Sequence, residues 1–152
     1  MTGLYFDDLE EGLTIRHEIG RTVTETDNVL FTSLAMNPQP LHLNAEFAAQ
    51  TEHGRIIVNS FFTMALVTGL TVADITLGTT LGNLGYSKIE LPRPVFIGDT
   101  LRVETFIAGL RASKSRPNAG IVTMENRGFN QKGELVCLLE RTDLMLRRPS
   151  AG

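Results

Sequence analysis

Residues 31–48 read FTSLAMNPQPLHLNAEFA, with Asn37-Pro38-Gln39-Pro40-Leu41-His42 at the centre. Two prolines and several polar side chains here separate two helix-like segments. Proline fixes its own φ and turns the residue before it away from the helical region. The alternation of Pro38 and Pro40 therefore predicts a stiff, extended backbone from Asn37 to Leu41. Such a segment fills a core poorly and aims side chains well. Asn37 and His42, five residues apart, are the pair it is expected to direct at one point.

Upstream, residues 5–12 form an acidic lead-in with two aromatic anchors, and residues 14–23 alternate loosely as a first strand. Thr24 or Thr26 is placed to cap a short helix with acids in its first turn, whose apolar face is Val29, Leu30, Phe31 and Leu34. Downstream, Asn44 caps a second short helix over 45–51, closed near Gly54. Residues 58–72, VNSFFTMALVTGLTV, are apolar on almost every side, which predicts a helix enclosed by other structure, capped by Asn59 or Ser60. A strand is the competing reading of that run; its length and its Met64-Ala65-Leu66 centre favour the helix.

Beyond it the pattern changes to strands at 79–91, 100–113, 119–130 and 134–147. Leu101, Val103, Thr105 and Ile107 share one face of the second, and Lys132-Gly133 between apolar runs is a hairpin signal. A long helix followed by antiparallel strands predicts an α+β domain, a curved sheet wrapped around the helix. No repeat or linker divides the 152 residues, so residues 1–152 are read as one domain. One helix cannot cover a sheet of this size, so a homodimer is expected to cover the rest.

Composition narrows the function. Apolar residues make up 42% and charged residues 20%, ordinary for a soluble domain. With a formal charge of −3 and no basic block, a nucleic-acid partner is not expected. The single Cys137 excludes an intramolecular disulfide and a multi-cysteine metal site. No apolar run approaches the roughly 18 to 20 residues of a membrane span, and the acidic N-terminus does not read as a signal peptide. The expectation is a cytoplasmic protein with no metal and no membrane partner.

Residues 31–48 resemble the hydratase motif of the MaoC-like dehydratases, which include the (R)-specific enoyl-CoA hydratases and have the hot-dog fold. That motif runs roughly Phe-Ala-x-Leu-Ser-Gly-Asp-x-Asn-Pro-Leu-His-x-Asp, and Phe31, Leu34, Pro40, Leu41 and His42 match it in register. Arg93-Pro94-Val95-Phe96-Ile97-Gly98-Asp99-Thr100-Leu101 is similar to the family's approach to a strand, and GRIIVNSFFTMAL to the start of its central helix. The resemblance covers about 22–146. It departs at Met36, where the family has glycine, at Asn37, where it has aspartate, and at Asn59-Ser60, where it has His-Gly.

The resemblance implies hydration of a 2-enoyl-CoA to a 3-hydroxyacyl-CoA, with His42 at the catalytic histidine position and Asn37 at that of the aspartate. Ser60 takes the position whose backbone N–H stabilises enolate charge, a task that falls to the amide and not to the side chain. Gln39 and Asn59 are expected to position water or thioester. Arg93, Lys114 and Arg116 read first as solvated loop charges and, in the family context, as partners for coenzyme A phosphates, reached across a dimer interface. Coenzyme A is then part of the substrate and no cofactor is needed. On residues alone His42 reads first as a hydrogen-bonded structural histidine, Asn37 as a turn residue, Cys137 as core, His17 as exposed, and His53 as a loop residue at a pocket mouth. Asn37 does not titrate, which leaves two alternatives: a hot-dog acyl-CoA thioesterase, for which Glu52 is the nearby carboxylate, or a non-catalytic acyl-CoA-binding subunit.

Overall fold

The computed structural model describes residues 2–149. A 3-10 turn at Phe6–Asp8 precedes β1 (Thr14–Arg16) and β2 (Arg21–Thr22), and after these come α1 (Glu25–Leu34), α2 (Pro40–Leu43), α3 (Ala45–Ala49) and α4 (Ser60–Thr71). A π turn at Val72–Thr76 leads to β3 (Thr80–Glu90), β4 (Thr100–Ala112), β5 (Ala119–Phe129) and β6 (Leu135–Leu146). The strands form one antiparallel sheet in the order β1-β4-β5-β6-β3, with β2 also on β4. The sheet wraps around α4, the arrangement expected of a hot-dog domain.

The capping chemistry reads directly from the residues. Thr24 Oγ1 accepts from the Asp27 amide at 3.2 Å while Asp27 Oδ2 accepts from the Thr24 amide at 2.8 Å, a reciprocal box that starts α1. Asn44 Oδ1 accepts from the Phe47 amide at the head of α3, and Asn59 Oδ1 from the Phe61 amide at the head of α4. Leu101, Val103, Thr105 and Ile107 are all buried on the inner face of β4. At Gly128 on β5 the helix comes so close that an added Cβ would lie 2.6 Å from Val67 Cγ2.

Four expectations are corrected. The strand expected over 14–23 is broken into β1 and β2. The segment expected to be extended up to Leu41 turns helical at Pro40, because proline suits the first position of a helix, where no amide hydrogen is needed. His42 therefore sits on one helical turn. His17 is not exposed but 4% accessible: its Nδ1 lies 2.6 Å from Asp74 Oδ2 and its Nε2 2.9 Å from Thr105 Oγ1. Its charged sequence neighbours point outward while the ring turns inward to partners 57 and 88 residues away. Finally, α4 is not enclosed all round. Phe61, Ala65, Gly69 and Ala73 form an exposed stripe, and nearly every residue of β3 is exposed as well.

A buried carboxamide ties α1 to α2 and to the head of α4. Asn28, 0% accessible, donates from Nδ2 to the His42 carbonyl at 2.8 Å and accepts at Oδ1 from the Asn59 amide at 2.9 Å. Asn59 Nδ2 in turn donates to Thr32 Oγ1 at 3.3 Å, one turn along α1. Replacing Asn28 by alanine strands one donor and one acceptor in a dry environment, and each such loss costs about 1–3 kcal/mol. Asn28→Ala is expected to lower stability by about 3 kcal/mol in urea denaturation, whereas Asn44→Ala, at an exposed cap, loses only about 1 kcal/mol. Gly128→Ala is expected to lose about 1–3 kcal/mol by pushing α4 off β5, measured the same way.

Candidate functional site

The loop between α1 and α2 builds the first half of the site. The Asn37 amide donates to the Thr32 carbonyl at 3.1 Å, and Met36 takes a left-handed φ of 51° so that the chain can reverse there. Asn37 Oδ1 then accepts from the Gln39 amide at 3.1 Å, a local turn in which the side chain stands in for backbone. His42 comes next, on α2, half-buried, with its Nδ1 2.8 Å from the Ile57 carbonyl oxygen. A carbonyl only accepts, so Nδ1 carries the hydrogen and Nε2 of the neutral ring carries a free lone pair.

The same residue, Ile57, leads into the second half. Its amide donates to the Leu41 carbonyl at 3.4 Å, and Ile57 forms an isolated bridge with Phe96. Val58 donates to the Val95 carbonyl at 2.8 Å. Three residues after Ile57, Ser60 opens α4. Its amide has no protein acceptor among the hydrogen bonds of the described residues, as expected at a first helical position.

A cavity of about 250 Å³ lies at this helix mouth, with Ser60, Thr63, His53 and Arg93 as its polar lining and Ile57, Val58 and Val136 among its apolar walls. A second hollow of about 420 Å³ is lined by Gln39, Leu41, Phe47, Thr51, Glu52 and His53. His53 therefore stands between the proline loop and the helix mouth. Arg93 belongs both to the mouth cavity and to a cleft of about 420 Å³ shared with Arg55, Lys132, Asp99 and Glu134.

The structure thus ties His42 to Ile57, three residues before Ser60, and puts Gln39 and His53 on one hollow and His53, Ser60 and Arg93 on the other; His42 lines neither. Asn59 is 2% accessible and spends both ends of its side chain on Thr32 and on the Phe61 amide. Lys114 and Arg116 are not brought to these residues. They stand on the β4–β5 turn at the opposite end of β4, whose 13 residues span roughly 40 Å. Cys137 is fully buried and burial pushes its thiol up to about 12, so it offers no thiolate. The Glu52 side chain is 87% exposed.

Sequence reasoning missed Asn28 and Arg55. Two polar residues four apart on α1, Asn28 and Thr32, with Val29, Leu30 and Phe31 between them, were the available signal for the buried carboxamide. Arg55 lies with its guanidinium carbon 3.7 Å from the centre of the Phe96 ring, a long-range contact with no local signature. It also missed the inner-face pair Arg141 and Asp143, 2.9 Å apart, where burial holds the Asp143 carboxyl above its usual range against the lowering effect of Arg141.

Known proteins share this design. The family model described as MaoC like domain matches residues 9–127. Mesaconyl-CoA hydratase of Cereibacter sphaeroides is 36% identical over 149 residues, covering 98% of this chain and 43% of the relative. Beta-methylmalyl-CoA dehydratase of Chloroflexus aurantiacus is 36% identical over 134 residues, covering 88% of this chain and 38% of the relative. The chain spans about two fifths of the length of these relatives. Among solved structures, a conserved Mycobacterium tuberculosis protein with a double hot-dog fold superposes with a TM-score of 0.87 at 23% identity, over 99% of this chain and 46% of that one. With its domain model matched over most of its length and its hot-dog architecture shared, the chain belongs to the MaoC-like family.

Proposed function

We propose that this domain catalyses the reversible addition of water to a 2-enoyl-CoA, giving a 3-hydroxyacyl-CoA. The observation that carries this is the bond between His42 Nδ1 and the carbonyl of Ile57, three residues before Ser60, which leaves Nε2 with the free lone pair of a base. Nε2 takes a proton from the water that attacks C3. The Ser60 amide, at the positive end of α4, meets the charge that develops on the thioester oxygen. Asn37 orients water without taking its proton, and Gln39 lines the approach. The names of the relatives point to a branched enoyl thioester with a second carboxylate, of the mesaconyl-CoA type. Arg93, with Arg55 and Lys132 beyond it, supplies cations for the coenzyme A phosphates. A second copy of the chain covers β3 and the α4 stripe, and the reaction takes place in the cytoplasm.

Release of free coenzyme A is the rival outcome. A thioesterase needs a carboxylate close to the substrate, and Glu52 faces solvent, so the hydration reading is preferred. The test monitors loss of the conjugated enoyl absorbance with mesaconyl-CoA and crotonyl-CoA. His42→Ala is expected to reduce turnover at least about 100-fold, the scale of general acid–base catalysis, and Asn37→Asp to raise it. Equal rates for wild type and His42→Ala would overturn the reading; release of free coenzyme A without hydration would replace it with the thioesterase, and saturable binding without turnover with a binding subunit.

A further inference from the structure

Hydration moves two protons: water loses one and C2 gains one. His42 has a single free nitrogen, because Nδ1 is committed to the Ile57 carbonyl. Asn37, whose Oδ1 is held by the Gln39 amide, has no proton to exchange in the neutral range. Among the described residues, the mouth cavity and the Gln39 hollow together are lined by three ionisable side chains, Glu52, His53 and Arg93. Arg93 keeps its proton at any working pH. Glu52 is 87% exposed and lines the Gln39 hollow but not the cavity that holds Ser60. His53, with 26% of its side chain accessible, is the one of the three that lines both hollows, and it brings an imidazole, the side chain suited to passing a proton.

The local chain fixes where it stands. Thr51 Oγ1 donates to the Ala48 carbonyl at 2.7 Å and accepts from the His53 amide at 3.3 Å, and the Gly54 amide donates to the Thr51 carbonyl at 3.0 Å. Gly54 closes this turn with φ of 66°, which a residue bearing a Cβ adopts only at a cost. The charged groups around the ring are Glu52, with Oε1 4.0 Å from His53 Nε2, and Arg93 across the mouth cavity. The lining contributed by α4 and by β6 is uncharged, Ser60, Thr63 and Val136, and the segment just after β3 adds Leu91, Pro94 and Val95 beside Arg93.

We infer that His53 is the second proton-transfer group of this site, donating to C2 and thereby replacing the carboxyl that Asn37 does not supply; this rests on the hydration reading. Water oxygen bonds to C3 as its proton passes to His42 Nε2. The C2=C3 π pair moves into the C1–C2 bond and onto the thioester oxygen, beside the Ser60 amide. As the carbonyl re-forms, C2 takes the proton from the His53 imidazolium. His42 ends protonated and His53 neutral, and one proton exchanged through solvent resets both.

The experiment is the pH profile of kcat/KM for wild type and His53→Gln, using mesaconyl-CoA, or crotonyl-CoA if that is the better substrate. Wild type is expected to fall on both sides, through protonation of His42 in acid and loss of the His53 proton in alkali. His53→Gln should lower kcat at least about tenfold and lose the alkaline limb while keeping the acidic one. A bell-shaped profile preserved in His53→Gln, or a kcat within about twofold of wild type, would overturn the inference, and a residue that only packs would move KM or Tm instead. If His53→Gln does not fold, the wild-type profile decides alone: a rate flat up to about pH 9 leaves no role for a donor of this kind. Activity surviving in His42→Ala is a different result, and sinks the hydration reading itself.

Discussion

Asn28 donates to the His42 carbonyl and accepts from the Asn59 amide, and everything at the site is arranged around that pair of bonds. A carboxamide does both at once, donor and acceptor held in one rigid plane. Its burial makes the arrangement strict, since neither backbone group has water to fall back on. Helix α1 thus serves less as a wall of the domain than as a clamp. One end of the clamp holds the turn carrying His42, and the other holds the residue that caps α4. The imidazole and the carbonyl that orients it come from segments 15 residues apart in the chain, and the His42–Ile57 bond closes the same loop from the other side.

Much of this is legible in the sequence because the deciding forces are local. Thr24, Asn44 and Asn59 announce helix starts through their own side chains, and the four long strands appear within a residue or so of their expected limits. The illegible parts depend on distant partners. His17 reads as a surface residue until Asp74 and Thr105 are folded against it. Pro40 reads as an extending residue, but its fixed φ serves a helix start equally well, and only the residues after it decide. Of the candidate site residues, Ser60 and Arg93 line one hollow and Gln39 another, the two sharing His53, while His42 is tied to the carbonyl of Ile57. Within one chain Lys114 and Arg116 stand at the other end of β4, because charge in a loop says nothing about which end of a strand the loop occupies.

The two departures in the proline loop have different physical characters. Met36 holds a left-handed backbone while 89% exposed, a conformation that disfavours any residue with a Cβ but that here closes α1, its amide donating to the Ser33 carbonyl and the Asn37 amide to the Thr32 carbonyl. Asn37 costs nothing conformationally, since an amide closes the Gln39 turn as well as a carboxylate does. What it removes is a charge and a titration. The loop keeps its shape without the carboxylate.

Among the described residues, strand β3 has β6 on one side and no strand on the other. A companion domain carried on the same polypeptide meets such an edge at a local concentration in the millimolar range, whatever the dilution of the protein. A companion that is a separate molecule meets it only as mass action allows. How the bare margin of the sheet is covered, by a fused domain or by a separate molecule, therefore decides whether whatever depends on that cover responds to protein concentration.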